Sequence, residues 1–221
     1  MASWRGSLSP RISLFYLPPK VRILVQQQSY PYKVRDTIGT MIFYIHTINT
    51  VFAVGGLGLL VVTALLLWDY RVNEQRLYQR WVAPYVWWLI MLTLWGGVGA
   101  TLLYSEVFGF VPCSLCWLQR VALYSQALMS VVAWRSSDSA FFPLYGMVLS
   151  GFGVVVAAYQ YVYQAIPDSV RNSGVMPCLA DGSADCSKTI MEVFGFVTFP
   201  FLSATLFVFL MVLYLHMRSA R

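Results

Sequence analysis

Five stretches of this chain are nearly free of charge and close to, or longer than, the roughly 20 apolar residues that cross the hydrocarbon core of a bilayer. They are 41–67, 84–104, 116–134, 141–163 and 193–215. Their apolar residues run together and do not alternate as in membrane barrel strands, so the pattern predicts helices. Gly55, Gly56 and Gly58 interrupt the first stretch, Pro84 opens the second at a tolerated first-turn position, and Gly96 and Ala100 give it a small-xxx-small spacing. The segments between are polar and unequal. Residues 68–83 carry Arg71, Arg76 and Arg80, 105–112 hold no Lys or Arg, and the short 135–140 link forces an antiparallel hairpin. Residues 164–192 form a long segment rich in Pro, Gly, Asp and Ser.

Of the 221 residues, 58% are hydrophobic and 11% charged, whereas soluble domains carry about 25% charged residues. An ordinary soluble globule is excluded. The expected fold is all-α, a multi-pass helical membrane protein. Its four-helix bundle core spans 84–221, and one additional N-terminal transmembrane helix with its connection occupies 41–83. Residues 1–40, with six Lys or Arg and no cleavable signal pattern, are expected to be poorly ordered or to lie on the membrane surface. The net charge of +6 reads as loops held on the cytoplasmic side, with no nucleic-acid partner. Alternating the sides places 68–83, 135–140 and the C-terminal tail inside, and both cysteine segments outside. It also puts the basic 1–40 segment outside, against the positive-inside tendency. A translation start at Met41 reconciles the two; the alternative is that the first stretch does not fully cross.

Four cysteines fall in two pairs, Cys113 with Cys116, and Cys178 with Cys186. Two pairs on one side suit thiol–disulfide exchange. A CxxC at a helix start sets a thiolate near free backbone N–H groups and the positive end of the helix dipole. Arg120 lies one turn beyond Cys116 on the same face, placed to steady a thiolate or a reduced ligand, or else to snorkel to headgroups. The CxxC also admits a fixed disulfide or a palmitoylated pair. Cys178 and Cys186 admit a loop staple worth roughly 2 to 3 kcal/mol. Their spacing argues against a four-cysteine zinc site, and no metal is expected. Gln160 suits either a hydrogen bond to a carbonyl ligand or a helix–helix bond, and His46 with Asn49 a polar helix contact.

The run Pro112-Cys113-Ser114-Leu115-Cys116-Trp117-Leu118-Gln119-Arg120, the later cysteine pair, and Phe194-Gly195-Phe196-Val197-Thr198-Phe199-Pro200 opening the last span resemble the DsbB family of membrane thiol oxidases, including its Gram-positive BdbC-like branch. The resemblance covers about 84–216. In the related vitamin K epoxide reductase family the loop cysteines precede the CxxC, whereas here they follow it. The resemblance implies a quinone-dependent oxidase in the bacterial cytoplasmic (inner) membrane, with both cysteine pairs extracytoplasmic and ubiquinone or menaquinone as acceptor. Its partner would be a soluble DsbA-like thioredoxin-fold protein. Cys178 would take the partner's thiol, Cys186 would pass electrons to Cys113, and Cys116 would deliver them to the quinone held by Arg120 and Gln160. Where many members carry a His near the end of the helix before the second pair, this chain has Gln160. The Cys178 to Cys186 spacing is short, and the first span lies outside the usual core. Competing readings are a membrane reductase running the relay outward and a scaffold with structural disulfides.

Overall fold

The computed structural model describes residues 32–73, 75–136, 141–166, 186, 189 and 191–219, with side chains from residue 45 onward. Cys178 lies outside the described residues. The chain divides into two compact units, Met1–Ile48 and Asn49–Arg221. Of the first unit the structure describes the helix from Tyr32, with side chains at 45–48 alone, and the packing below belongs to the second.

Helix α1, Tyr32–Val72, is longer than the expected 41–67 stretch at both ends. Its Ile45–Val72 part is long and apolar enough to cross a membrane. Helix α2, Tyr78–Val107, is composite. A π turn (Tyr78–Val82) and a 3₁₀ turn at Ala83–Tyr85 lead into the α-helical Val86–Leu102, and a second π turn closes it at Leu103–Val107. Helix α3 is Ser114–Arg135 and helix α4 Phe142–Ala165. Helix α5, Phe199–Ser219, starts later than expected. The expected span from residue 193 is corrected by a two-stranded hairpin, β1 (Glu192–Val193) with β2 (Val197–Thr198), in antiparallel register Val193↔Val197. Phe194 and Gly195 take φ of 58° and 76° in its three-residue loop, a left-handed conformation that cannot continue a right-handed helix. Pro200 then falls in the first turn of α5, where its missing N–H costs nothing.

Helices α2 to α5 form the bundle. The most extensive packing is α4 on α5, followed by α3 on α4 and α2 on α3, and α2 also meets α5. Heptad spacing explains the tight pair. A Cβ on Gly146 would stand 2.5 Å from the Tyr214 ring, and one on Gly153 2.5 Å from the Phe207 ring. Two glycines one heptad apart on α4 therefore admit two aromatic rings one heptad apart on α5. On the opposite face of α4, Val148, Val155 and Val162 are exposed, as a lipid-facing surface requires.

Among the described residues four helical segments, those within α1, α2, α4 and α5, meet the length and apolarity of a membrane span. Helix α3 is long enough but more polar, because Gln119, Arg120, Gln126 and Ser130 lie on its buried face. Gln126 shows why this is tolerated. Its side-chain oxygen accepts hydrogen bonds from Ser150 Oγ (3.0 Å) and Tyr214 Oη (3.1 Å), and its Nε2 donates to the Ala122 carbonyl (3.2 Å). Three helices thus share one satisfied polar node in a bundle interior.

Candidate active site

The chain passes from α2 to α3 at one end of the bundle, and Cys113 sits at that corner as the N-cap of α3, with φ −73° and ψ 169°. Its sulfur takes the place of a capping oxygen and accepts the backbone N–H of Cys116 at 3.4 Å. One helical turn brings the Cys116 sulfur to 2.8 Å from that of Cys113. The two are free thiols in this structure. The shared hydrogen bond, and after it burial, push the Cys113 thiol well above the ordinary thiol range.

Two glutamines support the pair. Gln160, on α4 and 3% exposed, directs its Nε2 at both sulfurs, 3.4 Å from each. Its orientation is set by Gln119 Nε2, which donates to Gln160 Oε1 at 2.6 Å. The expected quinone-binding Gln160 therefore stands at the sulfurs, and Gln119, which the sequence reading did not single out, holds it there. The signal was available: Gln119 lies three residues past Cys116, on the same helix face.

Arg120 is buried at 8% exposure. Its Nη2 donates to the Thr101 carbonyl at 2.8 Å, and its Cζ lies 5.4 Å from the centre of the Trp117 ring, within cation–π range. The π turn closing α2 disturbs the regular backbone ladder nearby, and Thr101 there takes a donor from outside its own helix. Thr101 also shares a 2.9 Å hydrogen bond with Tyr124 Oη, which ties α2 to α3 beside the guanidinium.

Cys186 comes to the same place. It is 1% exposed and packs in one apolar cluster with Cys113, Leu115, Val156 and Tyr163, against Cys116. It is disulfide-bonded, its sulfur is 3.7 Å from Ser114 Oγ, and its carbonyl accepts from Gln164 Nε2 at the end of α4 (3.3 Å). Of the predicted site residues, the structure thus gathers Cys113, Cys116, Cys186, Arg120 and Gln160. Nearby, Tyr161 Oη donates to the Phe196 carbonyl at 3.3 Å and fixes the hairpin against α4.

Below the thiols opens a cavity of about 890 Å³. Cys113, Cys116, Gln119, Arg120 and Gln160 line its polar end, and Leu59, Leu92, Leu206 and Phe207 belong to its apolar walls. The arrangement is a hydrogen-bonded dithiol, Cys113 buried and Cys116 partly so, with a third cysteine, Cys186, in contact, open on one side to an amphipathic chamber. It is suited to thiol–disulfide exchange, and to handing electrons to an occupant of that chamber.

Comparison with known proteins supports the thiol–disulfide chemistry. Residues 79–217 match the family model described as "Disulfide bond formation protein DsbB". A "Probable disulfide formation protein" of Oceanobacillus iheyensis is 35% identical over 127 residues, 58% of this chain and 84% of that protein. The "Disulfide bond formation protein C" of Bacillus subtilis is 30% identical over 133 residues, 60% of this chain and 90% of the relative. No solved structure gives a significant match. The matched segment contains nearly the whole bundle, the CxxC and Cys186, and on that footing the chain belongs to the DsbB family of disulfide bond formation proteins.

Proposed function

We propose that the protein reoxidises a soluble, extracytoplasmic, DsbA-like thioredoxin-fold protein and passes two electrons to a membrane quinone. One observation carries the reading: Cys186, the Cys113–Cys116 pair and Gln160 meet in one buried cluster at the polar end of an amphipathic cavity. A quinone fits that cavity by the chemistry of its lining. The guanidinium N–H donors of Arg120 suit a ring oxygen, and the leucine and phenylalanine walls suit a hydrocarbon tail.

The relay balances as two exchanges. The partner's two thiols reduce the disulfide of Cys186, for which Cys178 is the pairing the family resemblance implies; the partner leaves as a disulfide and this pair as two thiols. A Cys186 thiolate then attacks the oxidised inner pair at Cys113, and the thiol of Cys116 is released; closing the outer disulfide again leaves Cys113 and Cys116 as the two thiols. Bound quinone would supply the two-electron, two-proton acceptor at that point. Throughout, Gln160 steadies negative charge on either sulfur with its amide N–H, Gln119 holds that amide in place, and Arg120 offers a fixed positive charge beside Cys116. The basic ends of the helices, with Arg71, Arg80, Arg135 and Arg218, lie on the cytoplasmic face in this reading, and the cysteines on the other. Energetics favour a quinone sink, since a partner poised near about −120 mV is too oxidising for glutathione to recharge.

The test is anaerobic quinone reduction by purified protein supplied with a reduced thioredoxin-fold partner. Turnover that both Cys116→Ala and Cys178→Ala abolish is the expected result. Absence of turnover in the wild type with several quinones and partners would overturn the reading.

A further inference from the structure

Residues 49–72 precede the family-matched segment, and disulfide chemistry gives them no task. They are nevertheless fixed to the bundle at both ends. At the cysteine end Tyr104 Oη donates to Asn49 Oδ1, and the Phe52 and Tyr104 rings lie 6.0 Å apart. At the other end Asp69 is fully buried. Its two carboxylate oxygens accept the backbone N–H groups of Leu77 (3.0 Å) and Tyr78 (2.8 Å), closing the turn into α2. The Tyr70 ring there packs 5.4 Å from that of His216 on α5.

Between these anchors α1 has two unlike sides. Toward α5 and the hairpin it is close. Ala53 is buried with Met191 and Val197, and a Cβ on Gly56 would stand 2.2 Å from Leu202 Cδ2. Toward α2 it stands off. Gly55 and Leu59 of α1 line the cavity together with Leu92 and Gly96 of α2, and a Cβ at Gly55 or Gly96 would meet nothing within 4 Å. The gap continues the chamber that begins at Cys116 and Arg120. Its α2 wall, from Tyr104 to Leu92, is about 18 Å long at 1.5 Å per residue.

We propose that α1 is the outer wall of a channel for the polyisoprenyl tail of the quinone, with Gly55 and Gly96 kept small to leave it open. The proposal rests on the quinone-coupled reading above and adds selectivity for a tailed quinone over a bare ring. A tail already dissolved in lipid gains little hydrophobic free energy by entering protein. The channel therefore acts by shape, through close contacts on several sides and a fixed exit direction from the thiols.

Equilibrium binding to the full-length protein in phosphatidylcholine nanodiscs, read by tryptophan fluorescence quenching, tests this with a polyisoprenyl quinone and a tail-less analogue. The variants are Gly55→Leu and Gly96→Leu, with Gly58→Leu and Gly99→Leu as controls. All four positions have open space for a Cβ, but Gly58 and Gly99 do not line the cavity. Leucine is also the better helix former, and thermal unfolding checks that each variant folds. Each cavity variant is expected to weaken the tailed quinone about tenfold, equivalent to about 1.4 kcal/mol. Tail-less binding and both controls should stay within about twofold of wild type, below about 0.4 kcal/mol. A wild type that binds both quinones equally, as when a lipid acyl chain fills the channel, overturns the proposal and leaves quinone coupling standing. So do cavity variants that leave tailed binding unchanged, or that weaken both quinones alike. A wild type that binds neither quinone overturns both readings.

Discussion

Gln119 and Gln126 lie one heptad apart on α3, both buried, and each reaches across to α4. Around Gln126 every direction is filled. Ser150 and Tyr214 donate to its oxygen, the Ala122 carbonyl takes its N–H, and the Tyr214 ring is seated against Gly146. Around Gln119 the network runs instead through Gln160 to two sulfurs and borders an open cavity. The same residue type, at the same register, makes a joint in one layer and part of a reactive centre in the next. What separates them is the packing of the neighbouring helix: α4 presents glycines to α5 at positions 146 and 153, and then a glutamine, one heptad on, at the cysteines.

The comparison breaks most severely where that packing is closed. Gly153→Leu drives a side chain into the Phe207 ring, and overpacking of this kind costs typically about 1 to 3 kcal/mol. A marked fall in thermal midpoint is expected, with loss of activity following from loss of fold. At the open layer the expected effect is functional. Gln160→Leu should slow turnover about tenfold, as for loss of one hydrogen bond to a charged group worth about 1.5 kcal/mol, with a nearly unchanged thermal midpoint. Gln126→Leu should do the reverse, losing about 0.6 to 2 kcal/mol of stability while keeping its rate per folded molecule. Equal effects of the two substitutions on rate would erase the distinction between the layers.

The smallest effect concerns the thiols alone. Cys113 is pushed up first by its hydrogen bond with Cys116 and then by burial. A raised pKa keeps the thiol protonated, so Cys113 in reduced wild type should resist alkylation near neutral pH. In Cys116→Ala the larger cause is gone, and the alkylation profile of Cys113 should move to lower pH; an unmoved profile would leave burial as the controlling influence.

Much of this was legible in the sequence, for identifiable reasons. Long apolar runs must become helices in a bilayer because no other open structure satisfies the backbone there, and the helices lie close to where the runs do. The CxxC reads as lying at a helix start because an apolar stretch begins at Cys116; that Cys113 itself caps the helix is seen in the structure. Arg120 reads as facing the same way by helical spacing. The late start of α5 was less legible: residues 193–198 are as apolar as a helix, and only the left-handed turn at Phe194 and Gly195 diverts them into a hairpin. Gln160 was visible as a polar residue on α4, but its target was not, since one face can meet a ligand, a helix or a sulfur.

The sequence by itself determined the class of protein, the helical segments, the pairing of cysteines into two groups and the membership signalled by the CxxC motif, because these depend on local spacing and on the cost of exposing backbone in lipid. Only the tertiary structure decided that Cys186 joins the CxxC, that Gln119 aims Gln160, and that the N-terminal helix stands off α2 to leave a chamber. Those outcomes turn on how closely pairs of helices approach. That approach depends on which small residue on one helix meets which side chain on another, a relation that no single segment contains.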